Sequence, residues 1–247
     1  MGTLLRIAVV SDIHSNLVAF DAVLQAMGEV DQVWSLGDTV GYGPRPNEVI
    51  ARLAATKHLA VAGNHDQAAV GIIDVKAFNP VAAYAAHWTT EQLTDETRAY
   101  ITQLPTLLTA GEFTLAHGSP RAPIWEYITS AEIAAPNFAE FDGPFCLVGH
   151  THVPALFARS PEGEIHARQI DGEADLSLAQ PGWQFILNPG SVGQPRDDDP
   201  RAAFLLIDTE TGSAYWRRVE YDIAATQQQM RDAKLPNRLL ERLAHGW

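Results

Sequence analysis

HLAVAGNHD, residues His58–Asp66, joins an apolar, strand-like run to a tight group of polar residues, Gly63, Asn64, His65 and Asp66. The same arrangement recurs along the chain. RIAVV precedes Asp12-Ile13-His14, VWSL precedes Gly37-Asp38, FTLA precedes His117-Gly118, and FCLV precedes Gly149-His150-Thr151-His152. Oxygen- and imidazole-bearing side chains at the ends of neighbouring strands can converge on one site. The mixture of Asp, His and Asn suits hard or borderline divalent metals, not the soft ions that thiolates select.

The ordered set resembles the calcineurin-like metallophosphoesterase family: DxH (Asp12, His14), GD (Asp38), GNH with a following acid (Asn64, His65, Asp66), HG (His117) and GHTH (His150, His152). The resemblance runs as far as Asn188-Pro189-Gly190-Ser191, which looks like the NPGS loop of that family's small bacterial and archaeal phosphoesterases. Each motif alone is short and weak, but their order, each after a strand-like run, is specific. The resemblance implies an α/β layered sandwich, two facing mixed β-sheets flanked by helices, and the length, with no repeat or linker to divide the chain, suits one domain over residues 1–247. It also implies two divalent metal ions as cofactors. Carried over residue by residue, Asp12, His14 and His152 hold one ion, Asn64, His117 and His150 hold the other, and Asp38 bridges them. The nucleophile is then a hydroxide between the metals, attacking phosphorus in line. His65 lies outside the metal shell and either donates a proton to the leaving alkoxide or stabilises charge on the phosphate. Asn188, Gly190 and Ser191 are placed by the same comparison at the substrate edge of the site.

The remaining pattern agrees with a layered α/β chain. Asn16 is placed to cap a helix carrying Leu17, Phe20, Val23, Leu24 and Met27 at helical spacing. Pro46 fits the first turn of a second helix with Val49, Ile50 and Leu53 on its buried stripe. Residues 81–93 and 95–104 read as two helices covering the site. The second half is richer in strands (PALFARS, EIHARQI, WQFIL, AAFLLID and SAYWRRV), and helices starting at Ile223 and Pro236 finish the chain. Asp66 serves either to orient its neighbours or to cap a helix, and Asp197-Asp198-Asp199 reads as a solvated turn.

Composition narrows the function classes. With 46% hydrophobic and 19% charged residues, the chain reads as globular. No apolar run approaches the roughly 20 residues a membrane span needs. The opening LLRIAVV is too short for a signal peptide, and Arg6 stands where a myristoylation signal after Met1-Gly2 wants Ser or Thr. A cytoplasmic location is the default expectation. The net charge of −13 argues against an extended nucleic-acid surface, but local metal charge still allows a small phosphorylated molecule as partner. The single cysteine, Cys146, sits in an apolar run and reads as a buried small hydrophobe. Oligomeric state has no signature in the sequence.

Substrate class is the open question. Protein phosphatases of this superfamily continue GD as GDxVDRG, whereas here Gly41 replaces the acid supporting the catalytic histidine and Tyr42 replaces a phosphate-binding arginine. Asp66 also stands where those enzymes usually carry Glu. A small phosphodiester or nucleotide is the leading expectation. A phosphomonoesterase or protein phosphatase is the alternative, and a non-catalytic protein-binding scaffold is the reading from another class. Arg45, Arg121 and Arg196 are candidates to supply substrate charge, and the nitrogen and oxygen ligands admit Mn, Fe, Zn, Ni or Co.

Overall fold

Strand β1 (Arg6–Val10) is buried on both faces beyond Arg6, which is why RIAVV reads as a continuous apolar run rather than an alternating one. The computed structural model describes residues 5–247, so Met1 and Gly2 lie outside the described residues. From β1 the chain passes through α1 (Leu17–Ala26), β2 (Gln32–Ser35), α2 (Pro46–Ala54), β3 (His58–Ala60) and the short α3 (Asn64–Ala69). Helices α4 (Pro80–Gln92) and α5 (Asp95–Thr102) follow, then β4 (Leu107–Ala110), β5 (Phe113–Ala116), α6 (Ala131–Asn137) and β6 (Phe145–Leu147). The second half contributes β7 (Ala155–Arg159), β8 (Ile165–Gln169), β9 (Ala174–Ser177), β10 (Gln184–Asn188), β11 (Ala202–Asp208) and β12 (Ser213–Val219). Helices α7 (Ile223–Asp232) and α8 (Asn237–His245) close it.

The strands form two mixed six-stranded sheets, ordered β3-β2-β1-β11-β12-β9 and β4-β5-β6-β10-β7-β8. Ile7, Val9, Trp34 and Leu36 of the first sheet meet Leu115, Leu147, Phe185 and Leu187 of the second in the central core. Ala8, Val10 and Val33 point the other way, against Phe20, Val23, Val49 and Leu53 of α1 and α2. Ile128, Phe138 and Cys146 form a smaller core on the outer face of the second sheet. The layered sandwich of two facing mixed sheets flanked by helices is therefore present.

The helix starts follow local chemistry. Asn16 Oδ1 accepts from the Ala19 amide, Pro46 sits in the first turn of α2, and Asn79, Thr94 and Asp222 cap α4, α5 and α7 with their side chains. Asp66 acts as a cap: its carboxylate accepts from the Gly63 and Val40 amides at 3.0 Å each, tying α3 to the loop after β2. Only α4 of the two expected covering helices lies over the site, through Ala82 and Ala85 against Tyr42. Helix α5 instead adds Ile101 to the core beneath the first sheet, because its apolar stripe faces α2 and α3. Strands β4 and β9 and helix α6 had no reading in the sequence.

The acidic run departs from the solvated-turn expectation. The Asp197 carboxylate is ion-paired with Arg218, with only 3% and 1% of the two side chains exposed, while Asp199 pairs with Arg201 at 2.7 Å. Strand β12 alternates inward and outward side chains, and that register carries Arg218 inward to meet the acid. Arg218→Ala should cost about 3–5 kcal/mol in urea unfolding, because it strands a buried carboxylate. A loss below about 1 kcal/mol, the range of an exposed pair, would mean that water reaches Asp197.

Candidate functional site

The loops that follow β1, β2, β3, β5 and β6 meet at one edge of the facing sheets, and the polar residues of the sequence motifs are carried on them. The backbone there is strained. Nine non-glycine residues have positive φ among those described, and five are Asp12, His14, Asp38, His150 and His152. Such conformations disfavour L side chains and persist where the surroundings over-determine them, typically at functional sites. Close packing of the loops explains the motif glycines. A Cβ on Gly63 would collide with the Asp38 backbone and carboxylate, and one on Gly149 with the Ser11 hydroxyl.

Two ligand-type sets result. Asp12, His14 and His152 form one, and Asp38, His117 and His150 the other, with the ligand atoms of each set all within 4.8 Å of one another. His152 Nε2 lies 3.1 Å from Asp12 Oδ1, and His14 Nε2 lies 3.7 Å from it. Asn64 Oδ1 is 3.1 Å from His117 Nε2, which is 2.9 Å from His150 Nδ1. Between the sets, Asp38 Oδ2 stands 3.7 Å from His14 Nε2 and 3.3 Å from His117 Nε2. The other Asp38 oxygen accepts from the His65 amide at 2.8 Å.

The ring orientations are fixed from behind. His14, His117 and His152 each turn Nδ1 to a main-chain carbonyl, of Val40 at 3.2 Å, Leu36 at 2.8 Å and Gln194 at 2.5 Å. A donor at Nδ1 leaves an Nε2 lone pair aimed inward, the arrangement that metal-ligating histidines use. Asp12 Oδ2 is held by the Ser11 hydroxyl at 2.6 Å and the His150 amide at 3.1 Å. Asp12 Oδ1 and His150 Nε2 are buried with no hydrogen-bond partner. A buried orphan oxygen facing two imidazole lone pairs is poorly satisfied without a cation. The donor set therefore fits divalent metal.

The electrostatics agree. Burial would raise the Asp12 and Asp38 carboxyls, but the facing histidines outweigh it and hold both well below the usual carboxylate range. Burial pushes His14 and His152 down, and His150 to about 3 with the help of the His117 charge. His117 goes the other way: burial resists its charge, yet Asp38 and Asp12 lift it to about 9. Without metal, one proton thus sits on His117 between the carboxylates. Burial and the nearby Asp38 raise Asp66 to about 7 against its two amide hydrogen bonds.

His65 belongs to neither ligand set, although its ring stands edge-on to His14 at 5.0 Å. Its ring packs face to face with Phe78 at 4.8 Å and tilts against Tyr42 at 4.3 Å. Its Nδ1 is buried without a partner. Gly41, at φ 92°, leaves the space that the ring fills, and a Cβ there would meet His65 Nδ1 at 2.8 Å. Burial lowers its pKa to about 4, with the Arg196 charge contributing and Asp38 opposing, so the imidazole is neutral near pH 7.

Asn188, Gly190 and Ser191 lie against the loops that carry the candidate ligands. Asn188 Nδ2 donates to Gly149 O at 2.8 Å and Thr151 Oγ1 at 3.0 Å, its Oδ1 accepts from the Gly190 amide, and Ser191 Oγ donates to Asp12 O at 2.8 Å. All three are buried, and the polar side-chain atoms of Asn188 and Ser191 brace the DxH and GHTH loops. The arginines separate as well. Arg45 pairs with Glu48 and Arg121 with Glu126, both on the surface. Arg196 is half-buried, bonded by its amide to His152 O at 3.3 Å, and its charge depresses the protonation of His14, His65 and His152. Its Nε is buried without a partner.

Sequence reasoning missed the aromatic walls. Tyr127 stacks on His150 at 3.8 Å, and Phe78, stacked on His65, meets Trp125 edge-on at 5.8 Å. These residues lie in irregular loops, where the only signal was an aromatic side chain among turn residues.

Comparison with known proteins matches residues 5–212 to a model described as the calcineurin-like phosphoesterase superfamily domain. The uncharacterized protein MJ0912 of Methanocaldococcus jannaschii is 34% identical over 252 residues, covering 97% of this chain and 98% of that protein. A metallophosphoesterase from Sphaerobacter thermophilus is 46% identical, with a TM-score of 0.90 over 99% of this chain and 100% of its own. The hypothetical protein PH1004 from Pyrococcus horikoshii OT3, 24% identical with a TM-score of 0.78 over 98% of both chains, shares the fold.

Proposed function

The chain belongs to the calcineurin-like phosphoesterase superfamily, a metal-dependent family of hydrolases acting on phosphate esters, and from that premise we propose that it cleaves a small phosphodiester with two divalent ions. The observation carrying this reading is the single Asp38 carboxylate facing both ligand sets. Asp12, His14 and His152 would hold one ion with Asp38, and Asn64, His117 and His150 the other. Divalent ions there would supply Lewis-acid stabilisation of the phosphoryl oxygens and lower the pKa of water. The two carboxylates cannot neutralise two divalent charges, so the site attracts phosphate despite the acidic chain around it.

The protein's own groups set the rest. His65, neutral at pH 7, presents an imidazole N–H to a phosphoryl or leaving oxygen, and a bound anion would raise its pKa toward proton donation. Arg196 adds fixed positive charge beside it. Phe78 and Tyr42 keep the His65 ring oriented in place of an acid.

Proton release accompanies metal uptake. His117, raised to about 9, is protonated below that pH and must lose its proton to become a ligand. Apparent metal affinity should therefore rise with pH until about 9 and level off above it. Calorimetry in buffers of different ionisation enthalpy should register proton release at pH 7; its absence would place the proton elsewhere.

Substrate class is tested by comparing bis-p-nitrophenyl phosphate with a phosphoserine peptide under identical metal loading. A monoester carries more negative charge, so a site lacking the arginine that Tyr42 replaces should favour the diester in kcat/KM. The opposite preference with both Mn and Zn would select the monoesterase reading, and Arg196→Ala would then show whether Arg196 supplies the missing charge.

A further inference from the structure

A cavity of about 290 Å³ opens beside the histidine cluster, lined by Tyr127, Thr129, Thr151, Val153, Phe157 and Gln169 among others. Its volume is close to the lower end of ligand pockets, about 300–1,000 Å³. Two contacts join it to the candidate centre. Thr151 lies between His150 and His152, and Tyr127 covers the His150 ring with one face while remaining 47% exposed. Phe157 is buried and, with Val153, gives an apolar wall, while Thr129 and Gln169 supply donors and acceptors around it.

We propose that this cavity binds a planar aromatic group of the ester, with its phosphate held at the Asp38 centre. The proposal rests on the phosphodiesterase reading and names the class of substrate within it. An aromatic wall, an apolar side and hydrogen-bonding groups within one small cavity match a flat ring with polar edges better than an aliphatic chain or a bare sugar. A nucleobase and a simple aryl ring share that chemistry.

The test uses the full chain loaded with Mn²⁺ and three phosphonates that resist hydrolysis: analogues of adenosine monophosphate, phenyl phosphate and ribose 5-phosphate. Titration calorimetry should give the adenosine ligand about tenfold tighter binding than the ribose ligand, the scale of one stacked base. Ala167, which lines the cavity from exposed strand β8, offers a plug: Ala167→Trp should abolish the difference while the ribose ligand serves as reference. Tyr127→Leu, which keeps an apolar wall without the ring, should reduce it several-fold and decides the matter if the tryptophan variant does not fold. An equal gain for the phenyl ligand supports the cavity with a simple aryl occupant. Equal affinities for all three ligands, or a gain that survives both substitutions, overturns the assignment. Turnover of bis-p-nitrophenyl phosphate by the same preparations separates the two claims. Turnover without aromatic preference rejects the cavity alone, whereas no turnover with any metal rejects the phosphodiesterase reading.

Discussion

Asp38→Asn is expected to release both metals together and to lower phosphodiester turnover by about 10³-fold or more, at least the loss seen when one electrostatic contact to a reacting centre is removed. The substitution is nearly isosteric, and the Asn oxygen can still accept from the His65 amide as Asp38 does at 2.8 Å. What disappears is the charge of the one carboxylate whose oxygen faces both sets. Metal analysis after dialysis should therefore fall for both positions, and added Mn²⁺ should raise the melting temperature of the wild type far more than that of the variant. A variant that kept two metals and most of its rate would remove Asp38 from the bridging role.

His65→Ala should behave differently, with metal content close to wild type and kcat/KM lowered by about 10²–10⁴-fold, the usual contribution of a positioned acid or base. The ring touches Phe78 and Tyr42 and stands edge-on to His14, whose orientation is held separately by the Val40 carbonyl, and the peptide amide, not the ring, reaches Asp38. Truncation thus leaves the hydrogen bond to Asp38 in place. Metal loss equal to that of Asp38→Asn would contradict the separate role. A retained rate would mean that Arg196 alone stabilises the phosphate.

The layered fold was legible because its central strands are buried on both faces and end at polar motifs. RIAVV, VWSL and FCLV are continuous apolar runs because each lies between two packed layers. The segments that escaped reading are those where this pressure is weak. β9 alternates half-buried and exposed residues at a sheet edge, and α6 is a short helix containing Pro136. Both are too short for their periodicity to stand out, four residues in β9 and seven in α6.

By itself, the sequence determined most sheet-forming runs and the helix starts at Asn16 and Pro46, because these depend on local burial patterns and residue chemistry, and its ordered motifs pointed to seven candidate ligands. Only the tertiary structure decided which polar groups remain free for chemistry. The side chains of Asn188 and Ser191 are engaged with neighbouring loops, which the motif alone does not reveal. Arg45, Arg121 and Arg196 are equivalent on paper, but only Arg196 lies where its charge reaches His14, His65 and His152. Asp197 looked solvated until the register of β12 brought Arg218 to it. Tyr127 and Phe78 became walls of the site through loop packing. The common reason is that residue type fixes which hydrogen bonds and charges a side chain can offer, whereas long-range packing fixes which of them are already taken.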